Sequence, residues 1–182
     1  MANTCFYDMR IRGNKDGASY LCSLFDESNS MENVPCIGRV YSADTYEKEE
    51  TESELYFAIS GDCAWSVLTA MLNMNRENTL ENVIKQYKLN VECYSEEPGI
   101  GFMEHFVWKD GERVVDACED FMECNVDDIS GDEEDNDWFF DDENVIAYGI
   151  TRENYTDYAN EDGYIRVGGF EYNWQTKRLS ED

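Results

Sequence analysis

Carboxylates dominate the chemistry open to this chain. Between Arg113 and Arg152 there are 38 residues without a Lys or Arg, and 14 of the 28 residues from 116 to 143 are Asp or Glu. Oxygens at that density attract cations and basic surfaces and repel nucleic acid, anionic membranes and phosphorylated substrates. Residues 1–113 carry a net charge of −10 and residues 114–182 one of −17, within a total of −27 over 182 residues. A basic partner is therefore expected to meet the C-terminal third. The expected contact residues are Asp127, Asp128, Asp132, Glu133, Glu134, Asp135, Asp137, Asp141, Asp142 and Glu143, with Trp138 and Phe139 among them as apolar anchors. A second acidic stretch, 47–54, adds Glu49, Glu50 and Glu52.

Other chemistries are weaker. A calcium loop of the EF-hand kind needs Gly at its sixth position, and loops starting at Asp127 or Asp132 place Asp132 or Asp137 there. His105, the one His, falls in an expected strand beside Glu104. Gly99-Ile100-Gly101 lies between two expected strands, where it reads as turn chemistry rather than half of a dinucleotide fingerprint. The seven cysteines are scattered, odd in number and without a C-x-x-C pair, as expected of reduced thiols in a cytosolic protein rather than of disulfides or zinc ligands. No enzyme activity, cofactor or metal is expected. A small hydrolase or ligand-binding cleft built on Trp65, Glu97 and His105 stands as the minority alternative, beside an interaction module that pairs through an edge strand.

The elements that must position these residues follow from periodicity. Residues 4–12 alternate, with Cys5, Tyr7, Met9 and Ile11 on one face, and predict a strand. Helical spacing of Ala18, Leu21, Cys22 and Phe25 predicts a helix over 15–26. Strands are predicted at 37–46 and 55–60, joined by the acidic stretch as a solvated hairpin tip. Helical stretches follow at 65–74 and 79–87, the second opened by Thr79. Strands at 89–95, 101–108 and 112–117 come next, with Asp110-Gly111 signalling a hairpin. The class is α+β, an antiparallel sheet with helices on one face. Beyond residue 120, a strand at 145–150, hairpin arms at 155–159 and 164–170 around Asp162-Gly163, and a frayed end at 175–182 predict a β-rich acidic extension. Two regions result, 1–118 and 119–182.

Three stretches resemble a known family: Cys5-Phe6-Tyr7-Asp8-Met9-Arg10-Ile11-Arg12-Gly13, the passage 57–65 leading into a helix, and Cys93-Tyr94-Ser95-Glu96-Glu97-Pro98-Gly99-Ile100-Gly101-Phe102. Together they look like the ferredoxin-like domain of YubB-type proteins carried by phages and plasmids, over about residues 3–117. The chain departs from that pattern where Ser66-Val67 follows Trp65 in place of a Pro pair. The resemblance implies a ferredoxin-like sheet with two helices and a mobile-element origin, and no reaction. Its acidity and size also resemble those of anti-CRISPR proteins. Residues and resemblance together set the expectation of a stoichiometric nuclease inhibitor in the host cytoplasm, mimicking DNA in the basic channel of a CRISPR effector or, next, a restriction enzyme. Neither direct nucleic-acid binding nor membrane binding is expected.

Overall fold

The computed structural model describes residues 3–28, 37–72, 79–130 and 137–182. It is an α+β protein whose seven antiparallel strands run in the hydrogen-bonded order β2-β3-β1-β4-β5-β6-β7. The strands are β1 (Thr4–Asn14), β2 (Val40–Glu50), β3 (Glu54–Ala64), β4 (Asn90–Glu97), β5 (Phe102–Lys109), β6 (Glu112–Asn125) and β7 (Tyr164–Gly168). The helices are α1 (Lys15–Ser28), α2 (Val67–Ala70), α3 (Leu80–Tyr87), α4 (Asp137–Phe140) and α5 (Glu143–Ala147). Two compact units divide the chain: 1–118 together with 171–182, and 119–170. Among the described residues no helix is long and apolar enough to cross a membrane.

In the first unit β1 lies between β3 and β4, antiparallel to both. Its alternation sends Cys5, Tyr7, Met9 and Ile11 into the core, where they join Phe57 and Ile59 of β3 and Val91 and Cys93 of β4. The apolar residues of α1 and α3 close the same core. Asn14 starts α1 by accepting the Gly17 N–H at 2.9 Å, and Thr79 starts α3 by accepting the Asn82 N–H at 3.3 Å. Gly17 has a packing reason: a Cβ there would stand 2.4 Å from the Cβ of Tyr87, so the two helices approach only over glycine.

The other sheet face is covered as well, by residues 171–182. Residues 91–95 of β4 are all buried, a continuous run that requires cover on both faces. Tyr94 is stacked between His105 at 4.0 Å and Tyr172 at 4.5 Å, and Trp174 meets it edge-on at 4.9 Å. The Arg10 guanidinium lies over the Trp174 ring at 4.5 Å. The Glu92 carboxylate, with no exposed surface, accepts the N–H groups of Gln175 at 2.5 Å and Thr176 at 2.7 Å. Arg178 then pairs with Glu47 and Glu49, and Arg12 with Asp182. The frayed end expected at 175–182 is thus a docked segment. Its polar, aperiodic sequence hides the anchors, which are main-chain N–H groups and two rings.

Further corrections concern the C-terminal third. Residues 145–150, read as a strand, start inside α5, because Asp142 caps the helix by accepting the Asn144 N–H at 2.8 Å and the Val145 N–H at 3.4 Å. The arm expected at 155–159 is a 3-10 turn, Tyr155–Tyr158, so β7 pairs with the far half of β6 instead. β6 itself runs on to Asn125 rather than ending at 117, and of the helix expected over 65–74 only the four residues of α2 are helical among those described.

If Glu92 holds the 171–182 segment, Glu92→Leu leaves the Gln175 and Thr176 N–H groups without their acceptor. It should cost about 1–3 kcal/mol in urea unfolding and speed amide exchange at 175 and 176. An unchanged midpoint with unchanged exchange would show that the segment is held by its rings alone.

Candidate functional site

The unit 119–170 holds 17 acidic residues and two basic ones, a net charge of −15. Its small core gathers Cys124, Ile129, Phe139, Val145, Ile150, Ile165 and Val167, drawn from β6, α4, α5 and β7. Asp127 and Asp128 are exposed on the turn after β6, and Asp141 and Glu143 are exposed on either side of the α5 cap. Asp132, Glu133, Glu134 and Asp135 lie outside the described residues.

Both arginines of this unit are paired with its own groups. Arg152 pairs with Asp137 and lies over the Phe140 ring at 4.6 Å. Arg166 pairs with Glu123 at 2.8 Å and lies over the Phe121 ring at 4.4 Å. The carboxylates of Asp127, Asp141 and Glu143 meet no cation among the described residues. Countercharge for them must come from solvent or from a partner.

The expected anchors separate. Trp138 is 54% exposed and free to be covered by another molecule, whereas Phe139 is 0% exposed at the centre of the unit's core. Phe139 packs edge-to-face on Phe140 at 5.1 Å, so its reading as a contact residue is corrected to a core one. The four-residue helix α4 causes this, since it points neighbouring rings to different sides. Ile146 and Tyr148, on and just after α5, are exposed at 60% and 54%, outside any strand. The signal for the helix was Asp142-Glu143, a cap followed by an acid in the first turn.

The second acidic stretch is largely internal to the first unit. Glu47 accepts the Tyr56 hydroxyl at 2.9 Å and pairs with Arg178 at 2.8 Å. Glu49 accepts the Ser180 N–H at 3.0 Å and pairs with Arg178 at 2.9 Å. Desolvation pushes the Glu49 carboxyl up, but Ser180 and Arg178 outweigh it and hold the group below the usual range. Lys15 pairs with Glu50 and holds it low as well. The stretch is therefore two paired strand ends rather than a solvated tip, and Glu52 alone of the three expected contacts is exposed without a partner among the described residues.

The residues of the alternative cleft have structural partners. Glu97 folds back on its own turn, accepting the Gly99 N–H at 3.1 Å and the Ile100 N–H at 2.5 Å. The His105 Nε2 lies 3.1 Å from Glu92, beneath the docked 171–182 segment. Trp65 is exposed in a left-handed backbone conformation, φ 71°, as the chain turns into α2. Glu92, which no periodicity marks, and Glu104, noted only as the neighbour of His105, are acids set inside otherwise apolar strands. Glu104 accepts the Ser95 hydroxyl at 2.7 Å and the Val67 and Leu68 N–H groups at 2.8 and 3.3 Å. Burial pushes its carboxyl up against those hydrogen bonds.

Comparison with protein-family models, with curated proteins and with solved structures gives no match.

Placing Phe139 in the core and Trp138 outside it separates two substitutions. Phe139→Ala should cost about 3–5 kcal/mol of stability, and Trp138→Ala should stay within about 0.5 kcal/mol. Thermal unfolding followed by near-ultraviolet circular dichroism checks both. Equal losses would overturn the division.

Proposed function

We propose that this chain is an acidic, mobile-element-encoded inhibitor that binds stoichiometrically in the basic nucleic-acid channel of a host defence nuclease. A CRISPR effector is the first candidate and a restriction enzyme the next. The observation that carries this reading is the charge arrangement of unit 119–170: a net −15 whose two arginines are each paired with one of the unit's own carboxylates. Duplex DNA carries about one negative charge per 1.7 Å of axis, and proteins that hold it line their channels with Lys and Arg. A folded carboxylate surface competes for the same cations, is steered by them, and loses affinity as salt rises.

The first unit is the scaffold in this reading. Its strand order β2-β3-β1-β4, with α1 and α3 closing one core, is consistent with a ferredoxin-like sheet and with the YubB-type resemblance. The unit acts through binding and not through catalysis, in the host cytoplasm, with no cofactor.

The test is DNA cleavage by purified CRISPR nucleases and restriction enzymes, with the protein added before or after the DNA. Inhibition confined to prior addition identifies the target and supports competition for the channel. Absence of inhibition across the panel would remove the reading. Against a responsive nuclease, replacing Asp127, Asp128, Asp132, Glu133, Glu134, Asp135 and Asp141 by Asn or Gln should weaken binding by about tenfold or more and flatten its salt dependence. Binding that ignores both charge and salt would favour an interaction module without nucleic-acid mimicry.

A further inference from the structure

Beside α5 an open cavity of about 370 Å³ has Phe140, Ile146 and Ile150 in its lining. Thr151, Arg152 and Glu153 add polar groups to the lining. Gly149, also part of the lining, takes φ 72°, and a Cβ there would meet nothing within 4 Å, so that side of the wall is open. Ile146 is 60% exposed in this mostly apolar hollow, and Tyr148 follows it in the chain, itself 54% exposed. Asp141 and Glu143, both exposed, flank the cap of the same helix. An apolar hollow inside an acidic unit has a chemistry that neither part has alone.

We infer that this hollow is the seat of an aliphatic side chain presented by a Lys/Arg-rich segment of the protein partner. The inference rests on the reading of unit 119–170 as a surface for a basic partner, and it names the part of that surface which supplies affinity. Exposed ion pairs steer and orient but add little affinity; an apolar side chain desolvated between them adds more. Charge selects the occupant. A second copy of this chain brings another −27 and is repelled, whereas a basic segment brings cations to a unit of net −15 as its apolar residue enters. Arg152 does not oppose this, because Asp137 and the Phe140 ring already hold its guanidinium.

The full-length protein is titrated against two labelled peptides of equal length and equal arginine content, followed by fluorescence anisotropy at low salt. One carries leucines at helical i, i+3 and i+4 spacing; the other carries serine at those positions. The leucine peptide should bind about tenfold tighter or better. Ile146→Ser should erase that advantage and leave the serine peptide's affinity unchanged. Asp141→Asn with Glu143→Gln should weaken both peptides alike. Equal affinity of the two peptides, or an Ile146→Ser effect common to both, would overturn the assignment while leaving the acidic-surface reading intact. Failure of both peptides to bind would overturn the two together. Self-association that Ile146→Ser abolishes would assign the hollow to a second copy and overturn it as well.

Discussion

A carboxylate sealed from water sets the terms for the first unit. Glu92 sits in a central strand, where an uncompensated charge would be costly. It is compensated by two consecutive main-chain N–H groups from 175 and 176 and by the His105 ring. The residues that satisfy it also cover the sheet, since the segment bearing those N–H groups brings Tyr172 and Trp174 onto Tyr94 and Arg10. Sheet burial, the fate of the 171–182 segment and the pairing of Glu47 and Glu49 with Arg178 are consequences of one acceptor seeking donors.

The two units use acidity in opposite ways. In the first, carboxylates are consumed by structure: Glu104 takes the opening N–H groups of α2, Glu97 folds its own turn, and the β2 acids hold Arg178. In the second, structure consumes the cations and leaves the carboxylates outward. A count of charges along the chain treats both alike, so the charge left unpaired at each surface differs from the one that composition suggests.

That difference explains what could be read in the sequence. β1, α1, α3 and the β4–β5 hairpin are legible because one face of each is buried and the apolar period shows, as in Cys5, Tyr7, Met9 and Ile11 or Leu80, Val83 and Ile84. α5 was hidden because Val145 and Ile146 are β-branched residues in a helix of five, and a single cap at Asp142 outweighs their preference. The docking of 171–182 has no local signal, since its partners lie some eighty positions away. Of the candidate contacts, exposure at Asp127, Asp141 and Glu143 followed from composition, but the orientation of Trp138 against Phe139 depends on where a short helix falls.

Chain order adds a constraint of a different kind. The first unit is assembled from residues on either side of the acidic one, so a ribosome delivers 119–170 before it delivers the N–H groups that Glu92 requires. During synthesis the sheet face bearing Glu92, Tyr94 and Arg10 therefore stays bare and hydrated until the later segment emerges. Closing it joins residues 83 and 84 positions apart, a loop closure as long as the pairing of β1 with β4. The acidic unit's small core draws on residues between 124 and 167, so it needs nothing from that later segment.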